Sequence, residues 1–154
     1  GGVMEAAIRT AHFLLTGKEL EDLKVQAVRG SQGIKEARVR IGELEVGVAA
    51  VSGLMNARKL LEEIRAGRKD IHFIEVMTCP GGCIAGGGQP LNQDQEVLRA
   101  RAKALYEIDR LDALKTSHGN SSVKRLYDEF LEKPLSEKSH HLLHTRYLRR
   151  ETMP

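Results

Sequence analysis

The sequence predicts an α/β fold: a βαβ unit with parallel strands, followed by a mostly helical C-terminal extension. Residues 44–51 are rich in valine and other small apolar residues, a composition typical of a buried strand. Apolar residues at helical spacing follow over 54–64, and residues 71–77 form a second apolar, strand-like run. A strand, a helix and a strand in this order are joined by a right-handed crossover, which implies parallel pairing.

The segment before this unit predicts one helix and two strands. Apolar residues from Met4 to Leu15 fall on one helical face, and Gly17 is placed to end that helix. The chain begins with Gly1-Gly2 and has no initiator methionine. We therefore expect either that it is part of a longer protein or that these two glycines are not native. Strands are predicted over 24–29 and 34–41, with a turn at Gly42-Glu43.

Beyond the second strand of the unit, the chain forms a glycine-rich loop and then becomes helical. The loop, residues 78–90, holds both cysteines and five of the fifteen glycines. Helices are predicted over 94–114, 121–132 and 136–147, with a break at Lys133-Pro134.

Composition excludes several classes of function. The 154 residues are 41% hydrophobic but only 4% aromatic, which argues against a stacking surface for single-stranded nucleic acid. The net charge of +3 comes from 24 basic and 21 acidic residues, which is too balanced for a phosphate-binding face. No run approaches the roughly 20 apolar residues of a membrane span, and the start lacks the pattern of a signal peptide. We therefore expect a cytoplasmic protein that binds neither nucleic acid nor membranes.

Cys79 and Cys83 are the only cysteines, and their spacing points to metal or redox chemistry. Pro80 and the adjacent glycines allow a sharp turn that aims both sulfur atoms at one point. Thiolates favour soft metals. A cubane iron–sulfur cluster or a structural zinc ion usually takes four protein ligands, so at least two must come from elsewhere or from a histidine such as His72 in the predicted strand.

Other interpretations of these residues remain open at this point. A redox pair or half of a zinc site normally has a two-residue spacer, and a phosphate loop would need a Lys-Ser/Thr after its glycines. Met77 at a strand end is compatible with simple core packing. His140 and His144 have the spacing of a metal pair on a helix but lack a third ligand, which favours a solvated or interface face.

The loop and its surroundings carry a resemblance to a known family. Phe-Ile-Glu-Val-Met followed by Cys79-Pro-Gly-Gly-Cys83-Ile-Ala-Gly-Gly-Gly-Gln-Pro resembles the third cluster-binding motif of iron-only (FeFe) hydrogenases. Gly1-Gly2-Val-Met-Glu-Ala-Ala and Gly53-Leu-Met-Asn-Ala-Arg resemble two other stretches of that family. Residues 136–147 resemble its small-subunit region, so the similarity spans essentially the whole chain.

The resemblance implies a role for four residues. In this family a 4Fe-4S cubane is joined through one cysteine sulfur to a two-iron unit, and together they form the H-cluster. By similarity Cys79 would bind the cubane, Cys83 would be the bridging thiolate, and Met77 would pack against the two-iron unit. Gly2 matches a glycine that lines the same pocket. Ala85 stands where many relatives have Gly or Asn.

Missing motifs limit what the segment can do. The family's Thr-Ser-Cys-Cys-Pro and Met-Pro-Cys motifs, which supply the other cubane cysteines and the proton-relay cysteine, do not occur here. We expect residues 1–90 to form the C-terminal lobe of the catalytic domain and residues 91–154 its helical, small-subunit-like extension. The parent would convert protons and electrons reversibly to H2, with ferredoxin or NAD(P)H as electron partner, and this segment alone would be inactive.

Two further expectations follow from the resemblance. The alternative to an enzyme is a hydrogenase-like iron–sulfur carrier or assembly protein without hydrogenase activity, although such relatives usually lose the Gly-Gly-Gly-Gln-Pro tail and the methionine. A segment of a catalytic domain would also expose apolar surface where the remainder of that domain packs. We therefore expect self-association.

Overall fold

The computed structural model describes residues 2–20, 33–79, 81–91 and 94–148. The chain divides into two compact units, Gly1–Thr116 and Ser117–Pro154. Among the described residues, the first unit contains three long helices and a three-stranded sheet whose strands lie in chain order, and the second unit is helical. The mixed α/β class predicted from the sequence is confirmed. The predicted domain boundary at residue 90 stays a prediction.

Helix α1 spans Gly2–Thr16 and buries only its first half. Met4 and Ile8 are fully enclosed, whereas Leu14 and Leu15 are more than 60% exposed. Gly17 ends the helix as predicted: its φ is +68°, and its N–H donates to the carbonyl of Phe13 over 2.8 Å.

Strands β1 (Ile34–Ile41) and β2 (Leu44–Ser52) form the predicted antiparallel hairpin. Gly42 has a φ of +60° in the two-residue turn, a conformation that favours glycine. Charged residues alternate with apolar ones along β1, while the second half of β2 is buried throughout. The other predicted strand, 24–29, lies outside the described residues.

The predicted βαβ unit is confirmed, since β2 pairs in parallel with β3 (Phe73–Met77) across helix α2 (Leu54–Arg65). The sequence pattern over 71–77 is typical of a buried strand, but the structure contradicts that burial. Strand β3 begins two residues later and is an edge strand among the described residues, so Phe73 and Val76 remain more than 40% exposed.

The side chains of β2 alternate between two apolar clusters. Val48 and Ala50 pack with Met4 and Ile8 of α1, whereas Ala49 and Val51 pack with Ala57 and Leu60 of α2. The sheet is therefore covered by α1 on one face and by α2 on the other. Burial of β2 on both faces explains its continuous apolar sequence.

A close backbone contact fixes the approach to β3. The N–H of His72 donates to the carbonyl of Gly47 over 2.8 Å, and the N–H of Gly47 donates to Nδ1 of His72 over 2.9 Å. The carbonyl of Asp70 lies where a side chain at position 47 would stand. Only glycine fits there without displacing the backbone.

An arginine between α2 and β3 ties three elements together. Arg68 pairs with Glu36 on β1, with Glu63 on α2 and with nearby Asp70. Its hydrogen bonds hold the pKa of the Glu36 and Asp70 carboxyls below their ordinary values, and the three carboxylates raise the pKa of Arg68 itself.

Helix α3 spans Gln95–Leu111, which is shorter than the predicted 94–114. Its apolar stripe is only half covered: Leu98 and Ala102 are partly buried, whereas Leu105, Ile108 and Leu111 are more than 50% exposed. The predicted apolar stripe is therefore present, but the described residues cover only its first half.

The second unit begins with α4 (Ser121–Leu126) and continues in one π-helical turn, Tyr127–Leu131. Glu132, with a φ of +69°, ends this helical run one residue earlier than predicted. Helix α5 spans only Glu137–Leu143. Its predicted extension to Tyr147 is wrong because the backbone turns extended at His144.

Apolar side chains are exposed in both units. They include Leu54, Leu61 and Val76 beside a groove between α2 and β3. None of the helices in the described ranges is both long enough and apolar enough to cross a bilayer. This exposed apolar surface agrees with the expectation that a segment of a larger domain exposes the surface on which the remainder packs. Self-association itself stays a prediction.

Replacing Gly47 by alanine should lower the free energy of unfolding by about 1–3 kcal/mol, because the new methyl group collides with the backbone of Asp70. Urea unfolding would measure the loss. Gly87→Ala is the matched control: a methyl group at position 87 meets nothing within 4 Å, so stability should stay within a few tenths of a kcal/mol. Equal stability of both variants would contradict the close contact.

The chain should self-associate through its apolar edge, and Val76→Lys should weaken this association. Val76 is 47% exposed on β3, which is an edge strand among the described residues, and a lysine there opposes contact with another copy. Light scattering over a concentration series would report the mass. A monomer at high concentration for the unsubstituted chain would contradict the prediction.

Candidate metal centre

The cysteine loop begins where two parallel strands end together. Ser52, the last residue of β2, is the register partner of Met77, the last residue of β3. The N–H of Gly53 donates to the carbonyl of Met77 over 2.7 Å, which joins the two strand ends. The carboxyl ends of parallel strands are the usual location of ligand sites in α/β proteins.

Two glycines turn the chain back after Cys79. Gly81 and Gly82 have φ values of +80° and +81°, which disfavour any residue with a side chain. The N–H of Gly82 donates to the carbonyl of Cys79 over 3.0 Å, and a single 3₁₀ turn follows over Cys83–Ala85. The predicted sharp turn between the cysteines is therefore present.

Two sulfur atoms lie against glycine backbone. A Cβ built at Gly82 would lie 3.3 Å from Sδ of Met77, and one built at Gly86 would lie 3.0 Å from Sγ of Cys79. The chain therefore folds closely around both sulfur atoms because these positions lack side chains. Cys79 is half-buried, Cys83 is exposed, and neither forms a disulfide.

A row of charged residues lies beside the loop on the α1 face of the sheet. Lys35 of β1 and Glu75 of β3 are both in register with Ala50 of β2, whose small side chain leaves space between them. Burial lowers the pKa of Lys35, and the charges of Glu75 and Glu5 oppose that shift. Lys35, only 6% exposed, is thus a buried cation with acidic neighbours.

Glu75 also connects the loop strand to the start of α1. Its Oε2 accepts a hydrogen bond from the N–H of Met4 over 3.0 Å. The carboxylate thus pairs with a backbone N–H in the first turn of the helix, where a negative charge is stabilising. Further along α1, Arg9 pairs with Glu5, four residues before it, over 3.1 Å in the interior. The sequence analysis missed these roles, although a lone acid inside the apolar run 71–77 was the available signal.

The structure brings three of the four predicted residues into one loop. Met77, Cys79 and Cys83 occur in succession at the end of β3. Gly2 lies at the start of α1, two residues before Met4, and a Cβ built there meets nothing within 4 Å. Its placement in a shared pocket therefore stays a prediction.

Arg101 of α3 is a loop contact that the sequence analysis did not identify. Its Nη1 donates to the carbonyl of Ile84, and its Nη2 donates to the carbonyl of Pro90, both over 3.0 Å. The side chain thus spans the second half of the cysteine loop. In the sequence it is one of several arginines on an amphipathic helix, and only the fold distinguishes it.

The histidines do not extend the metal site. His72 was predicted to lie within the strand, but it lies just before β3. Its Nδ1 accepts a hydrogen bond from the N–H of Gly47. The rings of His140 and His144 stack with centroids 4.2 Å apart. Over the described ranges, no group of three or more His, Cys, Asp or Glu side chains is arranged to hold a metal ion.

Two family models match the chain. The model "Iron only hydrogenase large subunit, C-terminal domain" matches residues 1–87. The model "Iron hydrogenase small subunit" matches residues 95–150. Both cysteines lie in the first region, and helix α3 begins the second.

Individual relatives agree with these models. The chain is 49% identical to the NADP-reducing hydrogenase subunit HndD of Solidesulfovibrio fructosivorans, covering 99% of this chain and 26% of that protein. It is 33% identical to cytosolic iron-sulfur assembly component 3 of Rattus norvegicus, covering 96% of this chain and 31% of that protein. The structure of FeFe-hydrogenase HydA1 from Chlamydomonas reinhardtii superposes with a TM-score of 0.76 at 37% identity, covering 95% of this chain and 44% of that one.

The length of the match sets its scope. The chain spans about a quarter of the hydrogenase subunit HndD and less than half of HydA1. The large-subunit model alone covers more than half of the 154 residues. The chain therefore belongs to the iron-only hydrogenase family and corresponds to a C-terminal segment of its longer members.

Proposed function

We propose that this chain is the part of an iron-only hydrogenase catalytic domain that supplies two cysteine thiolates to the H-cluster. The observation that carries the proposal is the glycine-lined loop at the joint end of β2 and β3. There the sulfur atoms of Met77 and Cys79 lie against glycines, and Cys83 is accessible. Thiolates in such a loop suit iron–sulfur chemistry.

The residues present would supply some, but not all, of the ligands that the H-cluster needs. The backbone at Gly86 passes close to Sγ of Cys79, as required where main-chain N–H groups approach cluster sulfides. Because the described residues offer no third ligand near the thiols, the remaining ligands would come from the rest of the parent. When bound, the group supplies the redox and proton chemistry that converts protons and electrons to H2.

Each predicted residue has a specific task in this proposal. Cys79 would hold the 4Fe-4S cubane, and Cys83, the exposed thiol, would bridge to the two-iron unit. The half-buried Met77 packs against the apolar cluster of α1 and would contribute its thioether to the wall of the pocket. Gly2 would leave space on the α1 side, because no Cβ projects there.

Partners follow from the same proposal. The remainder of the catalytic domain would cover the exposed apolar surface, and ferredoxin or NAD(P)H would exchange electrons through the parent. The name of the relative HndD, an NADP-reducing hydrogenase subunit, supports a nicotinamide-linked system. We also propose a cytoplasmic location, since the small-subunit-like helices follow the cysteine loop on the same chain.

A second function is supported by a different observation. A cytosolic iron-sulfur assembly component matches 96% of this chain at 33% identity, so the fold also occurs in a protein named for cluster assembly. We rank this alternative lower. The hydrogenase subunit HndD is more similar, at 49% identity, and the chain keeps Met77 and the full glycine-rich tail of the loop.

Anaerobic reconstitution of this chain with iron and sulfide tests the ligand assignment. Two thiolates from each of two chains can complete a cubane, so we expect about four irons per pair of chains and an EPR signal on reduction. Cys79→Ser should abolish both because it removes a ligand. Met77→Leu is the matched control, as it keeps the thiolates and the apolar volume, and it should retain the iron.

Reconstitution has three possible outcomes. Iron bound by the unsubstituted chain and lost in Cys79→Ser and in Cys83→Ser supports a preformed loop that supplies both thiolates. Iron that persists in both cysteine variants would be held elsewhere and would contradict the assignment. A chain that binds no iron would place all cluster binding in the complete protein.

Activity of the complete protein distinguishes the enzyme from the carrier. Matured with its two-iron unit, the full-length protein should evolve H2 from reduced methyl viologen, and Cys83→Ser should abolish evolution because the bridging thiolate is lost. Gas chromatography measures the product. Absence of H2 together with transfer of a cluster to an apo-ferredoxin would establish the alternative.

A further inference from the structure

Arg101 makes an unusual pair of contacts for a surface helix. A guanidinium group presents several N–H donors in one plane, and here two of them reach carbonyl oxygens that lie six residues apart in the chain. One carbonyl belongs to Ile84, directly after Cys83, and the other to Pro90 at the end of the loop. The side chain therefore bridges the middle and the end of the loop.

Among the described residues, the hydrogen bonds within this half of the loop join residues close in sequence, and two of them are long. The N–H of Gly86 reaches the carbonyl of Cys83 at 3.4 Å, and the N–H of Gln89 reaches that of Gly86 at 3.3 Å. Gly87 and Gly88 have no neighbours near their missing side chains. A stretch of glycines has high conformational freedom, so an external clamp contributes more here than it would in a strand.

Arg101, which forms this clamp on the loop, lies in the region that the small-subunit model matches. Helix α3 begins at Gln95, the first residue matched by the small-subunit model, whereas Ile84 and both cysteines lie within the large-subunit match. Both belong to the unit Gly1–Thr116. Resting on the proposed function, we propose that Arg101 is a positioning residue through which the small-subunit-like helix holds the cysteine loop in the conformation that presents Cys83.

Hydrogen exchange of the metal-free chain tests the clamp directly. In Arg101→Ala, the hydrogen-bonded loop amides of Ala85, Gly86 and Gln89 should exchange roughly tenfold faster, because hydrogen bonds from a charged donor are lost. Amides of β2 should be unchanged. Arg101→Lys should be intermediate, since one ammonium group keeps the charge but reaches one carbonyl at a time. Arg99→Ala on the same helix removes an exposed arginine and should match the unsubstituted chain.

A second measurement connects the clamp to the cluster. After reconstitution, Arg101→Ala should lose iron to a chelator several-fold faster than the Arg99→Ala control. Unchanged loop exchange in Arg101→Ala would overturn the clamp, and so would equal acceleration in β2, which would indicate a general loss of stability. A loosened loop with unchanged iron loss would overturn its role toward the cluster. If the unsubstituted chain binds no iron, cluster binding requires the complete protein, while the exchange experiment still decides whether Arg101 holds the loop.

Discussion

The parallel register between β2 and β3 is the constraint on which the site depends. Strand β2 is buried on both faces and paired on both edges, so its position in the core leaves little freedom. The contact of Gly47 with His72 and Asp70 then sets where β3 can begin. Ser52 and Met77 end together as a result, and the cysteine loop starts at a defined point above α1.

Main-chain geometry, rather than a cluster of side chains, shapes the loop. Gly82 and Gly86 let the backbone approach Met77 and Cys79 so closely that a side chain at either position would crowd the neighbouring sulfur atom. Such a loop cannot stabilise itself by packing, so neighbouring elements must hold it. Glu75 anchors the strand before the loop to α1, and Arg101 holds the second half of the loop from α3.

The sequence was most informative where local patterns and tertiary packing agree. The hairpin around Gly42, the βαβ unit and the end of α1 at Gly17 were predicted because alternation, helical spacing and glycine act over a few residues. The exposure of β3, the pairing of Lys35 with Glu75 and the contact of Arg101 with the loop could not be predicted. Each depends on which distant element covers a face, and local periodicity does not contain that information.

The contacts that hold the cysteine loop come from this segment, and this bears on how the segment would work. Gly53 contacts Met77, Glu75 contacts Met4, and Arg101 contacts Ile84 and Pro90. On the proposed function, the entropy of ordering the glycines would be spent during folding of this segment rather than on metal binding. The segment would then contribute geometry as well as ligands, and with two thiolates it would need the remainder of the domain to complete a cluster.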